Sequence, residues 1–187
     1  MSRRVRQVLC LSGSLRRVSS NTAVLEAARQ LAPGTLKLVL YDGLGRLPLF
    51  SPDDELDPLP APVLALREAV GCSDALLVAC PEYAHGIPGA FKNLLDWLVG
   101  SLQFPGKPMA LINASGRGSQ HAQAALREVL VTMSARLLDQ VSRTVPLPGA
   151  GCTVETILAS GERCAELRAM LAALDEALDQ ALDQALD

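Results

Sequence analysis

Short apolar runs alternate along the chain with segments that have the spacing of amphipathic helices, and this order restricts the fold more than any other feature. The apolar runs are residues 5–11, 36–41, 75–80, 108–114 and 137–145. The helical segments are residues 21–31, 62–70, 88–99, 120–133 and 161 to the end. Strands that alternate with helices form a parallel sheet covered on both faces. We therefore predict an α/β fold with a five-stranded parallel sheet.

Composition excludes several classes of protein. The chain has 187 residues, of which 49% are hydrophobic, and this length can bury the core of one domain over residues 1–187. The net charge of −3 argues against a nucleic-acid partner, and no apolar run approaches the ~18 residues of a membrane span. The start lacks the pattern of a signal peptide. We expect a cytoplasmic protein with Arg3, Arg4 and Arg6 solvated at its start.

The five cysteines and two histidines show neither a disulfide framework nor a metal site. The cysteine count is odd, no pair has CxxC spacing, and Cys10 and Cys80 lie in predicted strands. We expect reduced, mostly buried thiols. With only His85 and His121 available, we expect no bound metal.

A polar loop joins the first predicted strand to the first predicted helix. Residues 13–21 read GSLRRVSSN and bring hydroxyls, an amide and a guanidinium to the start of a helix, with Ser19 or Ser20 as its cap. Free main-chain N–H groups and the helix dipole favour an anion at such a position. We interpret the loop as a phosphate-binding site. An ordinary capped turn with a surface arginine is the alternative on spacing alone.

Two further loops follow predicted strands at their carboxyl ends. Residues 81–88 follow the third strand and residues 114–119 follow the fourth, and both loops carry glycine or serine. In open parallel sheets, ligands bind outside the carboxyl ends of the strands where the strand order switches. The three loops therefore mark the candidate ligand site.

The first two loops together resemble the signatures of a known family. GSLRRVSSN fits the pattern GSxRxxSxN, and PEYAHGIPGAFKNLLDWL at residues 81–98 resembles PEYNxxxPGxLKNxxDW. Both patterns are typical of the NADPH-dependent FMN reductases. The resemblance covers residues 5–145. It implies a flavodoxin-like fold with strand order 2-1-3-4-5, noncovalently bound FMN, NADPH or NADH as co-substrate, and a homodimer or homotetramer.

The resemblance also implies which residues bind the cofactor. Arg16 would pair with the dianionic phosphate, and main-chain N–H groups of the second loop would reach the flavin edge. The phosphate-binding set is Ser14, Arg16, Ser19, Ser20 and Asn21. The set at the ring and ribityl chain is Pro81, Glu82, Tyr83, Ala84, His85, Gly86 and Ser115.

Several side chains in these loops leave alternatives open. Tyr83 covers a ring face, joins a subunit contact or simply packs on the surface. Glu82 is a general acid or, by preference, a structural or intersubunit partner. His85 is expected to be exposed or bonded to main chain rather than catalytic. Arg117 is expected in solvent, with the NADPH 2′-phosphate as the alternative.

Three positions depart from the family pattern. Ala84 stands where asparagine is usual, which places one side-chain hydrogen bond in doubt. Ser119 and His121 differ from the frequent GGxRAQ of the third loop, so dinucleotide preference or subunit pairing can differ as well.

Two helices carry features outside the loops. Lys92 and Asp96 have the spacing of an ion pair, and Trp97 is expected in the core or an interface. Leucine recurs every fourth residue from Leu174 to Leu186, which indicates a packing helix with a frayed tail.

The implied function is an FMN-dependent NAD(P)H oxidoreductase. A hydride passes from the nicotinamide to N5 of FMN, and a quinone, flavin, azo dye or metal oxyanion then enters the same open face. In this ping-pong cycle the protein positions and shields the reactants, and we assign no catalytic side chain. The alternative is a flavodoxin-type electron carrier, against which Arg16 argues. A response-regulator-like module is rejected because Cys80-Pro81 and Ser12-Gly13 stand where carboxylates are needed.

Overall fold

The computed structural model describes residues 4–56, 58–116 and 118–186 and shows strands alternating with helices. The strands are β1 Arg6–Ser12, β2 Leu36–Leu40, β3 Ala75–Ala79, β4 Pro108–Asn113, β5 Arg136–Leu137 and β6 Arg143–Thr144. The helices are α1 Ser20–Leu31, α2 Ala61–Gly71, α3 Gly89–Val99, α4 Gln120–Thr132, α5 Val154–Leu158 and α6 Gly161–Leu186. Short 3₁₀ turns occur at Leu44–Arg46 and Pro52–Asp54.

All strand pairs are parallel, and the order β2-β1-β3-β4-β5 confirms the predicted flavodoxin-like topology. Alternate residues of β1 face opposite sides, as the two-residue period of a strand requires. Val8 and Cys10 pack with α1, α5 and α6, whereas Leu9 and Leu11 pack with α2, α3 and α4. The sheet is therefore covered on both faces, as the apolar strands indicate.

The prediction of one continuous fifth strand over residues 137–145 is wrong. On β4, Met109 pairs with Leu137 and Ile112 pairs with Arg143. The chain between β5 and β6 therefore contains more residues than the part of β4 that it runs beside. These residues form a turn in which the Val141 N–H donates to the Leu138 oxygen at 3.0 Å. The hydroxyl of Ser142 accepts the Leu111 N–H at 3.0 Å, replacing the missing main-chain partner. The turn also buries the side chains of Leu138 and Val141.

The expectation that Arg6 is solvated is also wrong. Its side chain is 3% exposed, because Arg6 opens β1 and its guanidinium lies against the carboxyl half of α6. It forms ion pairs there with Asp175 and Asp179. Arg4 is exposed, as predicted, and pairs with Asp74. Arg3 lies outside the described residues.

The carboxyl-terminal helix packs into the core through the predicted leucine stripe. Leu174 and Leu178 are buried, and α6 continues to Leu186. Helix α5, which was not predicted, is short and is capped by the Thr153 side chain. Within the described ranges, no helix combines the length and apolar character needed to cross a membrane.

Candidate functional site

A cavity of about 870 Å³ lies where the loops after β1, β3 and β4 meet. Every predicted cofactor-binding residue except Gly86 lines it. These residues approach one another because the carboxyl ends of parallel strands share one edge of the sheet. The lining residues that were predicted are Ser14, Arg16, Ser19, Ser20, Asn21, Pro81, Glu82, Tyr83, Ala84, His85 and Ser115.

Gly13 allows the first loop to pass close to the second. A Cβ on Gly13 would lie 2.9 Å from the Cys80 sulfur and 3.1 Å from its Cα. The Gly13 N–H donates to the Ala79 oxygen at 2.8 Å, which extends the β1–β3 pairing to the start of the loop. A larger residue would separate the two loops that line the cavity.

The first loop leads into α1 through a hydroxyl cap. Ser19 is the N-cap and its side chain accepts the Thr22 N–H, which resolves the choice between Ser19 and Ser20. The Ser14 hydroxyl accepts the Arg16 N–H at 3.3 Å. Both hydroxyls therefore serve as acceptors within the loop, and each keeps its own proton available for donation into the cavity.

The second loop contains a tight turn at residues 83–86. Tyr83 and Gly86 exchange two main-chain hydrogen bonds, at 3.1 and 2.9 Å. Between them Ala84 and His85 both have positive φ, of 48° and 58°. Positive φ at both central positions is the geometry of a type I′ turn. The main-chain N–H groups of Ala84 and His85 have no hydrogen-bond partner within the described part of the chain.

A fourth segment, which was not predicted to be part of the site, also lines the cavity. Residues 147–150 follow β6 and complete the wall between the first and third loops. A Cβ on Gly116 would lie 2.5 Å from the Leu147 oxygen, so the third loop and this segment are in close contact. The signal was present in the Pro/Gly-rich stretch after the last strand, because that strand ends at the same edge of the sheet.

Comparison with known proteins then decides the family. The family model described as NADPH-dependent FMN reductase matches residues 6–147. The chain belongs to the NADPH-dependent FMN reductase family. It is therefore an FMN-dependent NAD(P)H oxidoreductase, which confirms the enzyme class, cofactor and co-substrate expected from the two motifs.

Individual members of the NADPH-dependent FMN reductase family and its neighbours resemble the chain over most of its length. An NAD(P)H-dependent FMN reductase of Pseudomonas aeruginosa is 39% identical over 138 residues, covering 72% of this chain and 74% of that protein. A quinone reductase of Escherichia coli is 32% identical over 142 residues, with coverages of 72% and 74%. The solved structure of FerB, a flavoenzyme NAD(P)H:acceptor oxidoreductase from Paracoccus denitrificans, is 29% identical, with a TM-score of 0.78 and coverages of 94% and 98%.

The residues at the first loop fit the phosphate of the FMN that this reductase family binds. Asn21 lines the cavity and is 8% exposed, and its side chain has no hydrogen-bond partner within the described ranges. Because its amide atoms are not fully enclosed, they are available to a polar ligand in the cavity. Arg16 is exposed and makes one long hydrogen bond, at 3.3 Å to the Ala150 oxygen. A cation and an amide therefore stand together at the start of α1.

Ser20 stands differently from the other predicted phosphate contacts of this reductase. Its hydroxyl donates to the Gly149 oxygen at 2.6 Å and accepts the Cys152 N–H at 2.9 Å. The single hydroxyl proton is therefore already used within the protein. Ser20 lines the cavity but has no proton left to donate to a phosphate.

Glu82 has the structural role that was preferred for it. Its Oε2 accepts the Ala122 N–H at 2.9 Å in the first turn of α4. Ser119, the N-cap of α4, makes no side-chain cap hydrogen bond and has a φ of 48°. The carboxylate of a separate loop thus satisfies a helix donor that the local cap leaves open, and its negative charge suits the helix dipole.

Two side chains at this site meet in a way that the sequence did not show. The rings of His85 and His121 are stacked, with 4.4 Å between centroids and 7° between planes. Both histidines are exposed, as expected for His85. His121, one departure from the family pattern, therefore contacts the turn that contains another departure, Ala84. Arg117 lies outside the described residues.

Cys80 lines the cavity but is unsuited to nucleophilic chemistry. Burial raises the pKa of its thiol to about 12. A protonated thiol is a weak nucleophile. Of the remaining cysteines, Cys10, Cys152 and Cys164 are buried, as expected, and Cys72 is exposed. Within the described residues, no group of three or more metal-ligating side chains occurs.

Away from the cavity, α3 carries the expected pair and the expected core residue. Lys92 and Asp96 form an ion pair one helical turn apart. Trp97 is fully buried, and its indole N–H donates to the Pro48 oxygen at 2.8 Å. Trp97 therefore belongs to the core, which was one of its two expected locations.

Proposed function

We propose that the cavity binds FMN with its phosphate at the first loop and its flavin ring along the second. The observation that carries this assignment is the Asn21 side-chain amide, which borders the cavity with Arg16 and has no hydrogen-bond partner within the described residues. Arg16 supplies the charge and Ser14 and Ser19 supply hydroxyl protons at the start of α1, where the helix dipole adds to the attraction for an anion. All four side chains line one cavity.

The turn at residues 83–86 supplies the polar contacts for the ring. The N–H groups of Ala84 and His85 are held by a tight turn and are free to donate. Donors fixed before a reaction stabilise developing negative charge without reorganisation. Tyr83 lines the same cavity and is about half exposed, so it suits a ring face better than a core position. Ser115 lines the cavity from the third loop.

FMN bound in this cavity would supply the redox chemistry, which is transfer of a hydride from NAD(P)H and of two electrons to an acceptor in alternating half-reactions. The chain binds the cofactor, orients it and shields one side of it with loops and segment 147–150. We assign no catalytic side chain. Cys80 stays protonated, and Glu82 is engaged with α4.

Quinones are the acceptor class that we propose. An Escherichia coli relative is named a quinone reductase, and a Burkholderia relative that is 35% identical is named a 2-hydroxy-1,4-benzoquinone reductase. We also propose a cytoplasmic location and a homodimer or homotetramer as the assembly. A size-exclusion measurement with light scattering tests the assembly, since a monomer would contradict it.

A matched pair of arginine variants tests the phosphate assignment. Arg16→Ala should weaken FMN binding about tenfold to a hundredfold, the effect of losing a charge-assisted hydrogen bond of about 1.5–3 kcal/mol. Arg17→Ala removes an adjacent exposed arginine that does not line the cavity and should leave the dissociation constant unchanged. Flavin fluorescence titration gives both constants. Equal affinities for the two variants would show that the phosphate binds elsewhere.

Steady-state turnover tests the reaction. The FMN-loaded protein should oxidise NADPH or NADH continuously when 1,4-benzoquinone is present, followed at the nicotinamide absorbance. A double-reciprocal plot at several quinone concentrations should give parallel lines, as a ping-pong cycle requires. A flavodoxin-type carrier would be yellow yet would show no NAD(P)H oxidation, and that result would remove the proposed function.

A further inference from the structure

We propose that Ser20 is a positioning residue of the cofactor site: its hydroxyl fixes residues 146–152, here called the strap, as one wall of the cavity. The inference rests on the proposed function only in identifying the cavity as the FMN site. It replaces the role of phosphate ligand that the sequence analysis gave to Ser20.

The hydroxyl of Ser20 holds the strap at two points. It donates to the Gly149 oxygen at 2.6 Å and accepts the Cys152 N–H at 2.9 Å. Ser20 itself is 3% exposed, so water does not compete effectively for these bonds. Because Ser20 is the first residue of α1, the strap is attached to the same helix start that presents Asn21 to the cavity.

Side chains carry most of the attachment of the strap. Within the described residues, its main-chain groups form no hydrogen bond to other main-chain groups. Besides Ser20, the recorded partners are Arg163, which donates to the Pro146 oxygen at 3.1 Å, and Arg16, which donates to the Ala150 oxygen at 3.3 Å. Loss of the Ser20 hydroxyl therefore removes two of the few bonds that fix the strap.

The strap reaches from the first loop to the third. Its Leu147 oxygen lies against Gly116, and its Leu147 and Cys152 side chains are buried at either end. Residues 148–150 between these anchors are exposed and line the cavity. The strap is thus anchored by a buried side chain at each end, and the exposed residues between them form the cavity wall.

Arg16 connects this wall to the anion site. One of its donors contacts the Ala150 oxygen, which leaves its other donors for a phosphate. Residues 148–150 line the cavity beside this site, so a flavin bound there would contact the strap and restrain it. By linkage, a variant that loosens the strap must also weaken cofactor binding.

Hydrogen–deuterium exchange and flavin titration on matched serine variants test the inference. Ser20→Ala should raise amide exchange in the strap, with or without FMN, and should weaken FMN binding about tenfold, as for the loss of two neutral hydrogen bonds. Ser20→Thr keeps a hydroxyl and should restore both quantities. Ser73→Ala is the control, because Ser73 is equally buried and also donates to a main-chain oxygen, that of Val70, outside the cavity.

Riboflavin, which lacks the phosphate, separates a wall from a phosphate ligand. If Ser20 fixes the wall, Ser20→Ala should weaken the binding of riboflavin and the binding of FMN by a similar factor. A factor confined to FMN would make Ser20 a phosphate ligand and overturn the inference, as would unchanged exchange in the strap. If the unmodified protein bound no flavin, the proposed function would fail, whereas the exchange difference between Ser20→Ala and Ser73→Ala would still report on the strap.

Discussion

Arg6 Nη1 lies 2.6 Å from the main-chain oxygen of Asp175 and 3.1 Å from its Oδ1, joining the first strand to the last helix. The second guanidinium nitrogen pairs with Asp179. Thr35 donates its hydroxyl to the other carboxylate oxygen of Asp175 at 2.9 Å. These contacts attach α6 to the amino-terminal end of β1, whereas the cofactor cavity lies at the carboxyl ends of the strands.

Replacement of Arg6 should therefore destabilise the protein strongly. Arg6→Met keeps an unbranched side chain but removes the guanidinium that pairs with Asp175 and Asp179, and Asp175 is buried. We expect the free energy of unfolding to fall by about 3–5 kcal/mol, the cost of breaking a buried ion pair from one side. Urea unfolding followed by circular dichroism measures it.

An exposed arginine provides the control for Arg6. Arg46 pairs with Asp42, and both side chains are more than half exposed. Arg46→Ala should change stability by less than about 1 kcal/mol, since solvent screens such pairs. Similar losses for both variants would show that burial of the Arg6 pair is not what stabilises α6.

Replacement of Ala84 by glycine should stabilise the turn of the second loop. Ala84 has a φ of 48°, a region in which a Cβ is strained and in which glycine and asparagine are favoured. We expect Ala84→Gly to raise the free energy of unfolding by about 1 kcal/mol in the absence of FMN. We expect the same of Ala84→Asn, which introduces the residue that is usual in the family. Thermal or urea unfolding checks it.

The same exchange in a helix should have the opposite sign. Ala124 is exposed in α4, and Ala124→Gly should cost about 1 kcal/mol because glycine loses more backbone freedom. If Ala84→Gly destabilised as Ala124→Gly does, the positive φ at Ala84 would carry no strain.

Replacement of Gly116 by alanine should push the third loop away from the strap. The new Cβ would lie 2.5 Å from the Leu147 main-chain oxygen, and no flexible side chain is there to move aside. We expect a loss of about 1–3 kcal/mol in stability, as for other overpacked positions, together with weaker FMN binding. Gly151→Ala adds its Cβ to open space in the same strap and should change stability by less than 1 kcal/mol. Equal effects would place the strap farther from Gly116.

Alkaline pH should weaken the fold through its buried thiols. Burial, with a smaller contribution from Glu26, raises the pKa of Cys10 from 9.0 to about 12. The unfolded chain therefore loses this proton first as pH rises, so stability is fully present below about pH 9 and falls as pH rises towards 12. For one thiol the slope reaches at most about 1.4 kcal/mol per pH unit.

A variant without this thiol isolates its contribution. Cys10→Ala should have a shallower loss of stability above pH 9 than the unmodified protein, whatever its stability at neutral pH. Urea unfolding over a pH series measures the two slopes. Identical slopes would mean that the Cys10 thiol ionises equally well in the folded and unfolded chain.

Much of the fold followed from local patterns. The first four strands and helices α1 to α4 begin and end within one residue of their expected positions, because apolar runs and helix caps act over a few residues. The prediction of a continuous fifth strand was wrong because the Leu111 N–H donates to the Ser142 hydroxyl instead of to a main-chain oxygen. Apolar periodicity does not indicate such a contact.

The sequence by itself determined the strand–helix order, the family motifs and the loops that carry Asn21, Arg16 and the second-loop turn. Only the tertiary structure decided that Ser20 holds the strap, that Glu82 binds the first turn of α4 and that Arg6 is buried against α6. Ser20 and Gly149, for example, are 129 residues apart in the chain. Local propensities act over a few residues, whereas such contacts exist only after the sheet has brought the ends of distant strands and helices together.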